Sequence, residues 1–268
     1  MLECVVNISE GRDPDRLASL AAAVPADLLD VHTDADHHRT VFTLVGERAP
    51  RALASRAIEL LDLRPHDGAH PRLGVVDVVP FVPLAGSSME AALAAREEFA
   101  TWLAAEHGVP VFLYGPERPL PEVRRRAFRD LSPDMGPNTP HPTAGATCVG
   151  ARPPLVAYNV WLADVTVSEA RAIAAAIRRP ALRALGLAVG DAVQVSMNLV
   201  APREVGPAEA FDLVAAQLAG THGAVDRSEL VGLLPEAVLQ RTPEDRWEAL
   251  DLSADRTIEA RLRALGPL

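Results

Sequence analysis

Two halves of this sequence repeat one order of predicted elements, and that order limits the available folds more than any other feature. Apolar, β-branched runs and helical periodicity alternate in the first half as strand, helix, strand, strand, helix, strand, at 2–8, 14–24, 28–33, 39–45, 51–63 and 75–84. The second half repeats the order at 155–162, 166–177, 185–189, 192–200, 207–218 and 224–234. This order is typical of ferredoxin-like units. The sequence therefore predicts an α+β protein with two ferredoxin-like (βαββαβ) subdomains, 1–151 and 152–268, packed with a substrate cleft between them.

Local signals add detail to this organisation. Asp13 and Pro14 predict the start of the first helix, and Ser87 with Glu90 predicts a capping box for a helix that ends near residue 106. Residues 115–150 contain seven prolines and predict a long structured loop. Loops of this length in a compact domain are more often functional than idle.

No lysine occurs anywhere in the chain, and this absence excludes several kinds of chemistry. All 26 basic residues are arginines. A pyridoxal Schiff base, a P-loop lysine that binds phosphate and a lysine general base all require a side-chain amine. The 36 acidic residues give a net charge of −10, which is unsuited to the neutralisation of many nucleic-acid phosphates. We therefore expect small-molecule substrates and no nucleic acid as partner.

Cysteine content and hydropathy indicate a compartment. Two cysteines, Cys4 and Cys148, are too few for a disulfide framework. The first residues lack the basic start and the long apolar core of a signal peptide, and no apolar segment approaches the roughly 20 residues that span a bilayer. We expect a cytoplasmic protein that does not bind a membrane.

The first candidate for chemistry is the segment His66-Asp67-Gly68-Ala69-His70-Pro71-Arg72. Two histidines four residues apart could bind a metal from one face of a helix, but Gly68 and the neighbouring prolines indicate a loop. A loop histidine could act as a general base, because its pKa lies near neutrality, or it could only hydrogen-bond to the backbone. The residues alone leave these interpretations open.

Two further segments contain clustered polar side chains. The first is a group of carboxylates and imidazoles: His32, Asp34, Asp36, His37 and His38. Such a group could bind a divalent metal, although a polar turn between two strands has the same composition. The second is the loop at 134–147, whose glycines and Asn and Thr side chains could bind a flat heteroaromatic ligand. An ordinary linker between domains is the alternative.

Six segments occur in a characteristic order along the chain. They are ECVVNISEG (3–11), RTVFTLVG (39–46), HPRLG (70–74), VPVFLYG (109–115), the loop at 136–152 and QVSMNL (194–199). Together and in this order they resemble the formiminotransferase domain of the glutamate formimidoyltransferase family, which includes the N-terminal part of formiminotransferase-cyclodeaminase. The resemblance extends over nearly the whole chain.

The resemblance implies an activity and a set of site residues. It implies transfer of a formimino group from N-formimino-L-glutamate to N5 of tetrahydrofolate, in histidine breakdown, with tetrahydrofolate as co-substrate and no metal. It implies a homodimer in which the two formiminotransferase subdomains of each chain enclose a substrate tunnel. The family's catalytic histidine corresponds to His70, as general base. Its folate-binding loop corresponds to Gly136, Pro137, Asn138, Thr139, Pro140, His141, Pro142, Thr143, Ala144 and Gly145.

A second group of residues is expected to orient the substrates: Asn7, Ser9, Glu10, Arg39, Thr40 and Arg72. Because both substrates carry carboxylates and the chain is acidic, Arg39 and Arg72 are the expected carboxylate ligands. The family usually has Asp and Trp where this chain has His32 and Ala144. Two alternatives therefore stay open: a related formyl or formimino transferase with another donor, and a folate-binding protein without catalysis.

Overall fold

The computed structural model describes residues 1–68 and 71–266 of the chain. The chain divides into two compact units, one ending at Pro153 and the next beginning at Pro154. Each unit combines helices with one β-sheet, so the predicted α+β class is confirmed.

The first unit contains, in chain order, β1 (Leu2–Ile8), α1 (Pro14–Ala21), β2 (Leu28–Asp34), β3 (Arg39–Val45), α2 (Ala49–Leu60), β4 (Val76–Pro83), α3 (Met89–His107), β5 (Val111–Tyr114), α4 (Leu120–Arg126) and β6 (Thr147–Ala151). Its strands form one sheet in the order β2-β3-β1-β4-β6-β5. Ile8, at the end of β1, pairs with Thr40 of β3 and Val76 of β4 in antiparallel register. The segments that follow β1 and precede β3 and β4 therefore lie at the same edge of the sheet.

Capping side chains decide where the first helices begin. The Asp13 carboxylate accepts the backbone N–H groups of Asp15 and Arg16, which confirms the predicted start of α1. The predicted capping box at Ser87 is wrong, because Ser88 is the N-cap of α3 and its hydroxyl accepts the N–H of Ala91 at 3.1 Å. Because the N-cap lies one residue later than predicted, Glu90 is the second residue of the helix. A capping box needs the glutamate at the third residue, from which its side chain can bond back to the N-cap.

The prediction of a long structured loop over residues 115–150 is also wrong. This stretch contains the helix α4 and most of the strand β6. β6 lies between β4 and β5 and pairs with both in parallel, and all five of its residues are buried. Strands that are buried on both faces lack the alternation of apolar and polar residues that marks a half-buried strand, so periodicity alone does not identify them.

The second unit contains β7 (Val156–Ala163), α5 (Val167–Ile177), β8 (Leu182–Val189), β9 (Ala192–Leu199), α6 (Pro207–Leu218), β10 (Ala224–Val231), α7 (Glu236–Leu239) and α8 (Ile258–Leu265), with two short 3-10 turns before α8. The strands form an antiparallel sheet in the order β10-β7-β9-β8. Thr166 and Glu169 cap α5 reciprocally. The hydroxyl of the buried Tyr158 donates to the Leu250 carbonyl at 2.9 Å, which attaches the C-terminal segment to the sheet.

Apolar side chains of strands and helices form two buried clusters in the first unit and one in the second. In the first unit, Val6, Leu53 and Phe99, from β1, α2 and α3, belong to one buried cluster. Burial of a side chain of this size contributes about 1.5–3 kcal/mol. Within residues 1–68 and 71–266, no helix combines the length and the apolar composition that crossing a membrane requires.

Candidate functional site

Three segments converge at one edge of the first sheet, and together they form the candidate site. They are the residues that follow β1, the turn between β2 and β3, and the segment that leads into β4. His70, the predicted general base, lies outside the described residues, so its role stays a prediction. The structure describes the contacts of its segment up to Gly68 and from Pro71 onward.

The carboxylate of Glu10 organises the turn after β1. It is buried, and its Oε1 accepts the N–H groups of Gly11, Arg12 and Asp13 at 2.9, 2.8 and 3.2 Å. Burial alone would raise the pKa of Glu10, but these bonds and the nearby His38 lower it below its ordinary value. Glu10 is therefore ionised near pH 7, and its charge stabilises the turn that precedes α1.

Three more of the predicted substrate-orienting residues connect strands at the same edge. The fully buried hydroxyl of Thr40 donates to the Glu10 carbonyl at 2.7 Å, and the hydroxyl of Ser9 donates to the Gly74 carbonyl at 2.8 Å. The half-buried Asn7 donates its side-chain amide to a carbonyl of β1 at 3.2 Å. These side chains hold the strand ends in place, and any effect of Thr40 on a substrate passes through the backbone.

Two histidines stack at the centre of the site. The rings of His38 and His66 lie 4.1 Å apart between centroids, with an interplanar angle of 23°. Nδ1 of His38 accepts the Gly11 N–H at 3.0 Å, and Nδ1 of His66 accepts the Gly68 N–H at 3.2 Å. Each neutral ring therefore has its proton on Nε2, and that of His66 is donated to the His38 carbonyl at 3.0 Å. Burial lowers the pKa of both histidines, which favours the neutral rings.

The polar group in the β2–β3 turn forms an internally bonded turn. The Asp34 carboxylate accepts the N–H groups of Asp36 and His37 at 2.9 and 2.8 Å, and lies 2.6 Å from Nδ1 of the buried His37. Burial alone would raise the pKa of Asp34, but these bonds lower it to about 2. Among the described residues, no group of three His, Cys, Asp or Glu side chains is placed to hold a metal ion. The contacts favour the polar-turn interpretation of this segment.

The two predicted carboxylate ligands, Arg39 and Arg72, lie at this edge. Arg39 is the first residue of β3 and pairs with Asp34 of β2. The backbone of both residues packs closely against Gly11, so that a Cβ added to Gly11 would overlap the Asp34 carbonyl. The guanidinium of Arg72 donates to the carbonyl of Gly68, so it joins the chain on the two sides of position 70. Both arginines are partly exposed.

A buried ion pair that the sequence did not predict lies beside this segment. Asp77 in β4 is 1% exposed, and the guanidinium of Arg124 in α4 donates to its Oδ2 at 2.6 Å. A signal was present in the sequence, because a carboxylate inside an apolar strand requires a partner. The partner comes from the basic run at 124–126, which gives no indication of which arginine is involved.

The predicted folate-binding loop is exposed in its first part and buried in its last. Exposed residues are Gly136, Pro137, Asn138, Thr139, Pro140 and Pro142. His141 and Gly145 exchange two backbone hydrogen bonds of 2.8 and 3.0 Å, and Nδ1 of His141 accepts the Ala144 N–H at 3.0 Å. Ala144 is 1% exposed and belongs to the core of the first unit. The side chain at position 144 therefore packs in the core. At the other end of the loop, the side-chain amide of Asn138 and the hydroxyl of Thr139 are exposed and accessible to a ligand.

Backbone hydrogen bonds bring the end of this loop to both sides of position 70. The Leu63 N–H donates to the Thr143 carbonyl at 2.8 Å. On the other side, the Ala146 N–H donates to Leu73 at 2.9 Å, and the Val75 N–H donates to Ala144 at 3.0 Å. Two segments that are about seventy residues apart in sequence thus form one structure.

Comparison with known proteins gives one consistent family. Residues 1–152 match the model of the formiminotransferase domain, N-terminal subdomain. A glutamate formimidoyltransferase of Streptococcus pyogenes serotype M1 is 36% identical over 270 residues, which cover 89% of this chain and 90% of that protein. One from Thermoplasma acidophilum is 34% identical over 272 residues, with 89% of each chain covered. The formimidoyltransferase-cyclodeaminase of Sus scrofa is 33% identical over 273 residues, which cover 88% of this chain and 50% of that protein.

Proposed function

The chain belongs to the formiminotransferase family, and we propose that it is a glutamate formimidoyltransferase. It transfers the formimino group of N-formimino-L-glutamate to N5 of tetrahydrofolate and releases glutamate, a step of histidine degradation and one-carbon metabolism. At the site, the proposal rests on one observation: residues 143–146 form hydrogen bonds with the backbone on both sides of position 70. This pairing supports a folate-binding loop and a catalytic segment that work as one site.

His70 is the general base of this proposal. Tetrahydrofolate supplies the nucleophilic N5. As the bond from N5 to the amidine carbon forms, the neutral His70 imidazole accepts the N5 proton. It then donates that proton to the glutamate nitrogen as the bond between this nitrogen and the amidine carbon breaks. General acid–base catalysis of this kind contributes about 10²–10⁴ in rate, and holding both substrates in one site contributes at least as much.

The remaining predicted residues bind and orient the substrates. The exposed Asn138 and Thr139 offer both donors and acceptors, which fits the polar edge of a pterin. Arg39 and Arg72 bind carboxylates, because a guanidinium matches a carboxylate with two parallel hydrogen bonds. Asn7, Ser9, Glu10 and Thr40 act indirectly, through the strand ends and turns that they hold.

The proposal extends to the architecture and the assembly. The orders β2-β3-β1-β4 and β10-β7-β9-β8 support ferredoxin-like N-terminal and C-terminal formiminotransferase subdomains, with β5 and β6 as an extension of the first. A homodimer follows from the family resemblance, and a cytoplasmic location follows from the two cysteines, which are too few for a disulfide framework. Tetrahydrofolate is the co-substrate, and the reaction requires no metal.

A reaction of the purified protein with both substrates tests the function. Mass spectrometry should detect 5-formiminotetrahydrofolate and glutamate in equal amounts, with initial rates highest for formiminoglutamate among a panel of formimino and formyl donors. No product, together with no binding of either substrate by calorimetry, would overturn the assignment. Faster turnover of another donor would instead support the related transferase.

A further inference from the structure

The backbone that directly follows position 70 is bound to the Asp77–Arg124 ion pair. Nη1 of Arg124 donates to the Pro71 carbonyl at 2.9 Å, while its Nη2 donates to Asp77 Oδ2 at 2.6 Å. Oδ1 of Asp77 accepts the Leu73 N–H at 2.8 Å. One carboxylate and one guanidinium therefore fix both Pro71 and Leu73.

Both partners of this pair are shielded from water. The Asp77 side chain is 1% exposed and that of Arg124 is 19% exposed. Burial alone would lower the pKa of Arg124, but Asp77 raises it above its ordinary value, so the guanidinium is charged at any working pH. Charge-assisted hydrogen bonds in such surroundings are short and directional. The bonds from Arg124 to Asp77 and from Leu73 to Asp77 are partly buried, whereas the bond from Arg124 reaches the carbonyl of an exposed residue, Pro71.

A buried ion pair by itself contributes little to the free energy of unfolding. Desolvation of the two charges offsets much of their attraction, and apolar residues of similar volume often stabilise a fold as well or better. This pair also supplies a donor to a loop carbonyl and an acceptor to a loop N–H, which apolar residues cannot do. Its contacts with the loop thus distinguish it from an ordinary structural ion pair.

We propose that Arg124, together with Asp77, is a positioning residue of the transfer reaction that fixes the Pro71–Leu73 backbone next to His70. This inference rests on the proposed function, because it assigns to the pair the placement of the general base. The planar guanidinium suits the role, since it directs separate N–H groups to the Pro71 carbonyl and to the carboxylate in a fixed geometry. A small displacement of a catalytic group is enough to cost about 10² in rate.

The first test compares Arg124→Met with Arg126→Met. Arg126 lies on the same helix, but its guanidinium pairs with Glu122 and Asp130 at the surface, so it serves as the matched control. We expect kcat of Arg124→Met to fall about 10²-fold, with KM and the calorimetric Kd for tetrahydrofolate changed by less than about threefold. Arg126→Met should keep the wild-type kcat.

The second test separates positioning from stability. Arg124→Met leaves the Asp77 charge buried without its partner and should lower the urea midpoint of unfolding. The double variant Asp77→Asn with Arg124→Met removes that charge. The side-chain amide oxygen introduced at position 77 can still accept the Leu73 N–H. We expect the midpoint to recover while kcat stays low, because the Pro71 carbonyl still lacks its donor.

The outcomes distinguish this inference from the function on which it rests. An active wild-type enzyme whose kcat is unchanged in Arg124→Met, or whose kcat recovers together with the midpoint in the double variant, would overturn the positioning role alone. A folded wild-type protein that transfers no formimino group would overturn the proposed function, and the positioning role with it.

Discussion

Gly145 joins the predicted folate-binding loop to the segment that carries His70, and its replacement by alanine should disrupt this junction. Gly145 has φ +72°, in the left-handed region, and an added Cβ would overlap the Leu73 carbonyl oxygen. It would also lie 2.8 Å from Leu63 Cδ2 and 2.9 Å from Gly74 Cα. Two of these three neighbours are backbone atoms, so no side-chain rotation relieves the overlap.

The magnitude follows from two contributions. The left-handed conformation costs a residue with a Cβ roughly 1–2 kcal/mol. Separation of the two segments also weakens the hydrogen bonds from Ala146 to Leu73 and from Val75 to Ala144, at about 1 kcal/mol each. Together they predict that Gly145→Ala lowers the free energy of unfolding by about 3–4 kcal/mol.

Gly86→Ala isolates the first contribution, and its difference from Gly145→Ala measures the second. Gly86 has φ +80°, and an added Cβ would have nothing within 4 Å, so only the conformational cost of roughly 1–2 kcal/mol applies. Urea unfolding followed by circular dichroism measures both variants. Calorimetry should in addition show weaker tetrahydrofolate binding by Gly145→Ala alone. Equal losses of stability in the two variants would refute the view that the two segments form one structure.

Two further predictions concern protonation and charge. Stability should fall as the pH drops below about 6.5, because His38 and His66 have lowered pKa values and take up protons in the unfolded chain first. A second loss should begin near pH 4, where the unfolded chain protonates Asp34 and Glu10, and continue towards the folded pKa of Asp34, about 2. Urea midpoints measured from pH 8 to 3 check both losses, and a midpoint that stays constant down to pH 5 would contradict the first. Separately, Arg39→Lys and Arg72→Lys should each raise KM for formiminoglutamate about tenfold, because lysine keeps the charge but loses the bidentate geometry. Unchanged KM values in both variants would show that neither guanidinium binds the substrate.

Continuous periodicity made several elements predictable from the sequence. The predicted strands at 2–8 and 39–45 and the helix at 207–218 match the structure at both ends. Each is an uninterrupted apolar run or helical pattern, and local turn or capping residues mark its limits. The strand β6 and the helix α4 could not be predicted in the same way, because β6 depends on parallel pairing with β4 and β5, which lie far from it in sequence.

The site shows the same division between local and long-range information. The sequence indicated the segments that surround His70 and the loop at 136–145, since both contain unusual local composition. It could not indicate that His38 stacks on His66, or that Arg124 rather than Arg125 binds Asp77. Those contacts join residues 28 and 47 positions apart, and only the completed sheet brings them together.

The proposed role of His70 is that of general base in the transfer of a formimino group to tetrahydrofolate. Its most direct test is kcat/KM for formiminoglutamate in wild-type protein and in His70→Ala, with tetrahydrofolate affinity measured by calorimetry on the same samples. We expect His70→Ala to lower kcat/KM by about 10²–10⁴-fold, with tetrahydrofolate affinity largely retained. An equal kcat/KM in the two proteins would contradict this role.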